Sequence, residues 1–160
     1  MNEPGEQTEA IPKPNPTVEW VTYKPDKLYG ASVKVPEGLI SGSLTVGENG
    51  SYGYIDIFQV DPQFQGKGIG TELLKAFASE LKAYGATSLD GHVTSLSALK
   101  TRARVFGEEN LQFHNHITGQ KMDINYGEAL KENPNINVVV DLTKVDTSTW
   151  TRPNRIGSTS

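Results

Sequence analysis

The sequence predicts a mixed α/β domain with a largely antiparallel sheet of six or seven strands and flanking helices. Three observations carry this reading. Four strand-like segments between residues 17 and 60 are joined by connections of only a few residues, and such short links can join only antiparallel neighbours. After residue 68 the apolar period changes from two to three-and-four, the mark of an amphipathic helix. From there to residue 142 strand and helix patterns alternate, which is the layout of helices packed on a sheet.

Residues 17–23 alternate Val18, Trp20 and Thr22 against Glu19, Val21 and Tyr23, a strand pattern. Lys24-Pro25-Asp26-Lys27 is a turn. Residues 28–35 form a second strand, closed by Pro36-Glu37-Gly38, and residues 39–46 a third, closed by the polar run from Gly47 to Ser51. Residues 52–60 are a fourth strand, and 28–60 together read as a three-stranded meander. Ile69, Leu73, Ala76, Phe77, Leu81 and Tyr84 then make one helical stripe, and Gly85 is a stop signal. Strand pattern returns over 87–93, and helix over 96–106 with Leu96, Leu99, Ala103 and Phe106 on one face. Residues 111–117 alternate weakly. Asn125 and Glu128 have the spacing of a capping box opening a short helix over 126–132, and 137–142 reads as a buried strand.

The chain has 160 residues, 36% of them hydrophobic and 21% charged, which fits one domain with a core of its own. The expected organisation is a disordered, proline-rich arm over 1–16, a single domain over 17–145 and a flexible tail over 146–160. The absence of cysteine removes disulfides, thiolate metal sites and a cysteine nucleophile. A net charge of −4 argues against nucleic acid as a partner. No apolar run reaches the ~18 residues of a membrane span, and no basic-then-apolar leader opens the chain. The expected compartment is the cytoplasm, with no membrane partner. His114 and His116 lack a third ligand nearby in sequence, so no metal is expected.

The most informative segment runs from Val60 to Thr71 and links the most apolar of the first four strands to the strongest helix. Gly66, Gly68 and Gly70 strip β-carbons from it, so its amide N–H groups can turn together onto a ligand. The following helix adds its own free N–H groups and positive dipole end. The result is an anion site suited to phosphate. The Walker spacing is absent, and in the dinucleotide fingerprint the third glycine would fall one residue later.

Val60-x-Pro62, Gln65-x-x-Gly68-x-Gly70 and then Thr71-x-Leu73-Leu74 resemble the signature of the GNAT superfamily of acyl-CoA N-acyltransferases, Gln/Arg-x-x-Gly-x-Gly/Ala. The resemblance spans about residues 28–107. It implies the GNAT-type sheet, with the central fourth and fifth strands splayed, and acetyl-CoA as cofactor. It places the CoA pyrophosphate on Gln65, Gly66, Lys67, Gly68, Ile69, Gly70 and Thr71, with Lys67 either adding charge or simply solvated. It places the pantetheine arm along the backbone of Phe58, Gln59 and Val60.

The family's second element, Asn-x-x-Ala-x-x-x-Tyr, corresponds here to Ser95-x-x-Ala98-x-x-x-Arg102. Ser95 either holds the cofactor or only caps its helix. The usual tyrosine proton donor is replaced by Arg102, which cannot donate a proton usefully but can stabilise a thiolate by charge. Lys100, Arg102 and Arg104 form a candidate anchor for the 3′-phosphate of CoA. For the base that takes the amine proton, the candidates on or near the central strands are Asp56, Asp90 and His92, with Asp56, grouped by alternation on one face with Tyr54, Phe58 and Val60, preferred. The resemblance thus implies acetyl transfer from acetyl-CoA to a primary amine, small-molecule or peptide, by direct attack in a ternary complex. The alternative is a CoA-binding module without turnover. The two helices the family places between its first two strands are missing, so the acceptor side is open, differently built, or completed by a second copy in a homodimer.

Overall fold

The structure, a computed structural model, describes residues 15–131 and 135–156. The arm expected over 1–16 therefore lies outside the described residues except for Asn15 and Pro16. Nine strands, not six or seven, form one sheet. They are β1 (Thr17–Lys24), β2 (Leu28–Val35), β3 (Gly38–Gly47), β4 (Gly50–Val60), β5 (Ala86–Val93), β6 (Leu111–Asn115), β7 (Lys121–Met122), β8 (Ile136–Asp141) and β9 (Asn154–Arg155). Their spatial order is β7-β6-β8-β5-β4-β3-β2-β1-β9. The helices are α1 (Ile69–Ala83), α2 (Leu96–Phe106) and α3 (Tyr126–Lys131). The extra strands are the two-residue β7 and β9, too short to leave a period in the sequence.

β1 to β4 form an antiparallel run, and β4 pairs with β5 in parallel. The directions of the remaining strands make α1, α2 and α3 crossovers between parallel strands. Right-handed crossovers put all three on the same face of this sheet. Burial agrees. The cross-strand row Trp20, Ala31, Gly42, Ile55, Gly91, Val138 and Phe113 lies under the helices. Leu73, Leu74, Phe77 and Leu81 of α1 meet it in the core, and Ala129 of α3 is fully buried in the same cluster. The opposite face carries no helix among the described residues.

The alternation expected along β4 fails at Asp56. Ser41 pairs with Ile57 and Gly42 with Ile55, so Asp56 is an extra residue, a β-bulge. A Cβ on Gly42 would lie 1.8 Å from the Tyr54 carbonyl oxygen, so only glycine fits opposite the bulge. Past it the faces exchange. Phe58 and Val60 turn toward α1, while Tyr54 stays on the open face in register with Asp90. These four residues therefore do not share one face.

Of the flexible tail expected over 146–160, residues 157–160 lie outside the described residues, and 146–156 packs on the body. Arg152 pairs with the buried Glu80 at 2.7 Å, and Trp20 Nε1 donates to the same carboxylate at 2.8 Å. Pro153 is buried, Trp150 packs beside Phe106, and β9 pairs with β1 in parallel.

Candidate active site

The loop between β4 and α1 keeps the geometry its glycines demand. Gly66 and Gly68 have φ of 80° and 86°, and Gly68 is the N-cap of α1 in the left-handed region. A Cβ at either would meet nothing within 4 Å, so these glycines serve backbone conformation and the open space above the loop. Gln65 Nε2 donates to the Val60 carbonyl at 3.0 Å and ties the loop to the end of β4.

A groove of about 960 Å³ opens over this loop. Phe58 and Val60 line it from β4, Gln65, Gly66, Gly68, Gly70 and Thr71 from the loop and α1, and Ser95 from the start of α2. These eight expected cofactor residues are brought together. Gln59, Lys67 and Ile69 are not among the lining residues; Gln59 borders a separate cavity of about 210 Å³. Ser95 both caps α2, accepting from Ala98 N at 3.1 Å, and lines the groove.

Glu72, Ser97 and Thr101, which lie outside the expected cofactor residues, also line it. The spacing on α2 carries a signal for two of them. Ser97, Thr101 and Arg104 lie four and three residues apart, on one face of α2.

The expected basic cluster divides. Lys100 and Arg104 line the groove, and Arg104 Nη1 reaches Thr71 Oγ1 at 3.5 Å. Arg102 points the other way and is 3% exposed. The buried face of α2 is Leu99, Arg102, Val105 and Phe106, whereas Leu96 is 43% exposed. Arg102 Nη1 donates to the Ala98 carbonyl at 3.2 Å. Its guanidinium lies 5.9 Å from the Phe58 ring centre and against Gly91, where a Cβ would approach Nη2 to 3.1 Å. Burial lowers its pKa to about 10, with Asp90 opposing that shift, so it remains a cation at neutral pH.

Gly91 marks the point where the sheet opens. The β4–β5 pairing ends at Ile55–Gly91, while β4 runs on to Val60 and β5 to Val93. Arg102 and Phe58 flank this split from the helix side. On the open face Tyr54 and Asp90 form the adjacent cross-strand pair, and Asp56 sits exposed on the bulge. Burial, then Asp90 and Asp56, raise the Tyr54 pKa, which keeps the phenol protonated.

Asp56, His92 and Arg102 thus lie at one split but on two faces. His92 is engaged: its Nε2 contacts Asn135 Oδ1 at 2.5 Å, and its ring stacks on His116 at 3.5 Å. His116 Nδ1 contacts Asn137 Oδ1, and Asn137 Nδ2 donates to Asp90 at 3.3 Å. Among the described residues no three His, Cys, Asp or Glu side chains converge as a metal site. No helix there is long and apolar enough to cross a membrane.

Solved structures share this architecture. An assigned acyl-CoA N-acyltransferase from Klebsiella pneumoniae superposes with a TM-score of 0.50 at 16% identity, over 76% of this chain and 77% of that one. A GNAT-family acetyltransferase from Staphylococcus aureus gives 0.47 at 13% identity, over 73% and 69%. A Bacillus subtilis acetyltransferase in complex with CoA gives 0.49 at 13%, over 79% and 99%. No curated protein sequence matches the chain. The sequence profile of the Acetyltransferase (GNAT) family matches residues 6–107, and with the glycine loop, the groove and the split between β4 and β5 this places the chain in that family.

Proposed function

We propose that the protein transfers an acetyl group from acetyl-CoA to a primary amine by direct attack in a ternary complex. The observation that carries this is the groove over the amide-rich loop at the start of α1. Phe58, which lines the groove from the stretch of β4 no longer paired with β5, also lies 5.9 Å from the Arg102 guanidinium beside the split. Family membership makes acetyl-CoA the donor that this groove has to fit. The Gln65–Thr71 loop and the α1 N-terminus take the pyrophosphate, and Lys100 and Arg104 take further phosphate charge. The exposed backbone of β4 beyond Ile55 aligns the pantetheine arm.

At the split the amine nitrogen bonds to the thioester carbonyl carbon, the carbon–sulfur bond breaks, and sulfur leaves as thiolate. Arg102, a cation in a dry setting, stabilises the negative charge that develops there. A free thiol has a pKa of ~8.5, so the leaving group needs no dedicated acid. The proton lost by nitrogen goes to Asp56 or to water beside it on the open face. His92 serves less well as a base, because Asn135 and His116 already occupy its ring.

The replacement of the family tyrosine by Arg102 keeps a second reading alive, a CoA-binding module without turnover. Thiol release from acetyl-CoA with a panel of amines separates the two. Amine-dependent release that falls in Asp56→Asn supports transfer. Tight CoA binding with no release for any amine supports the module.

A further inference from the structure

We propose that the protein also takes acyl-CoA donors whose acyl group ends in a carboxylate, malonyl or succinyl, with the Arg102 guanidinium as the seat of that carboxylate. This rests on the transfer reading above, which sets the thioester at the split, and adds a donor class to the same site.

The observation is a buried cation without an anion. Arg102 is 3% exposed, and among the described residues the one ion pair joins Arg152 to Glu80. The two buried charges are treated in opposite ways. Glu80 receives Nε and Nη2 of Arg152 at 3.0 and 2.7 Å and the Trp20 indole at 2.8 Å. Arg102 engages only Nη1, on the Ala98 carbonyl. Its Nε and Nη2, the edge with which Arg152 grips Glu80, have no partner among the described residues. Neither is sealed in, since the one buried side-chain atom there with no partner and no contact with solvent is His114 Nε2. Asp90, the acid whose charge acts on Arg102, stands on the other face in register with Tyr54 and accepts from Asn137. A buried charge without a partner is costly to keep. A planar fork of free N–H donors is the shape that holds a carboxylate by both oxygens.

The fork stands at the acyl end of the groove. Phe58 and Ala98 both line the groove, and both flank Arg102. Gly91 leaves the guanidinium its room, because a Cβ there would come within 3.1 Å of Nη2, and the β4–β5 pairing ends at this residue. One or two methylenes beyond the thioester carbonyl carry a carboxylate toward it. The bond changes are those of acetyl transfer. The amine nitrogen bonds to the carbonyl carbon, the carbon–sulfur bond breaks, sulfur leaves as thiolate, and the nitrogen's proton goes to Asp56 or water. The carboxylate is untouched and ends on the product amide, so a cationic amine becomes an anion. Acetyl-CoA leaves the fork unfilled. A buried group that one ligand satisfies and another leaves unpaired discriminates between them.

The test titrates acyl-CoAs into the full chain by calorimetry, without amine. Succinyl-CoA is compared with butyryl-CoA and malonyl-CoA with propionyl-CoA, pairs of equal carbon number that differ in carboxylate against methyl. The expected result is that at least one carboxylate donor binds about tenfold or more tighter than both its methyl partner and acetyl-CoA. The better of the two reports the depth of the seat. Arg102→Met should abolish that preference. Arg102→Lys, which keeps the charge without the fork, should retain only part of it and decides the matter where the Met variant no longer binds CoA. Thiol release with a panel of amines is then measured for the preferred donor and for acetyl-CoA. Equal affinity within both pairs overturns the inference, and amine-dependent release from acetyl-CoA then keeps the transfer reading. A preference that both Arg102 variants leave intact seats the carboxylate elsewhere and also overturns it. Release from acetyl-CoA but from neither carboxylate donor overturns the inference alone, whereas release from no donor overturns the transfer reading and the inference with it.

Discussion

Arg102 is a charge kept out of water with one backbone carbonyl as its hydrogen-bond partner and an aromatic face nearby. Its folded pKa is lowered to about 10, so the charged form disfavours the fold at all pH values below that, and the penalty fades only as pH rises further. Replacing such a group by an apolar one of similar size is commonly neutral or stabilising by about 1–4 kcal/mol. Arg102→Met should therefore melt no lower than the parent while its acetyl-transfer rate drops by roughly 10–100-fold. A variant that melts lower and turns over normally would show that Arg102 is only structural. Gly68 poses the reverse case. A β-carbon in its left-handed conformation costs about 1–2 kcal/mol, and a larger side chain stands in the groove. Gly68→Val should lose CoA binding by calorimetry while remaining folded by circular dichroism, and unchanged affinity would remove the pyrophosphate from this loop.

Lys100 and Arg104, one turn apart on α2, can meet the same anion, and Arg102 cannot join them. The double variant Lys100→Ala/Arg104→Ala should weaken CoA by about two- to tenfold, and dephospho-CoA by less. Equal losses for both ligands would move the 3′-phosphate elsewhere. The C-terminal segment is held by polar ties at several points. Removing Arg152 leaves the Glu80 carboxylate buried with only Trp20, at about 1–3 kcal/mol, so Arg152→Ala should lower Tm by roughly 3–10 °C. Thr143 and Ser148 hold the carboxyls of Asp141 and Asp146 below the ordinary range. Their contribution is present above the unfolded pKa and is lost as pH falls through the lower folded value. Acid should therefore loosen the local turns at 141–143 and 146–148 first, as read by residue-resolved hydrogen exchange.

The same elements show what the sequence discloses. The first five strands and both long helices are legible because each writes its period over eight or more residues. The glycine loop is legible because backbone conformation itself demands those glycines. The bulge at Asp56 is not, since it is accommodated by Gly42 on the neighbouring strand, and a long-range approach leaves no local pattern. Arg102 turns inward because its position continues the buried face set by Leu99 and Phe106, which outweighs the charge that suggests solvent. The tail looked free because its anchors, Glu80, Phe106 and β1, are remote in sequence.

At the scale of the whole molecule, three crossovers of one hand leave, among the described residues, a sheet with a dressed side and a bare side, and a split where the β4–β5 pairing ends. Under the transfer proposed above, acetyl-CoA on the helix side and an amine arriving from the bare side have separate doors. Neither then has to wait for the other to enter, and spent CoA leaves on the helix side without first displacing the product. Initial-rate lines should intersect when both substrates are varied, and CoA should compete with acetyl-CoA but not with the amine. Parallel lines, the mark of a covalent acetyl-enzyme, would contradict this account of traffic through the sheet.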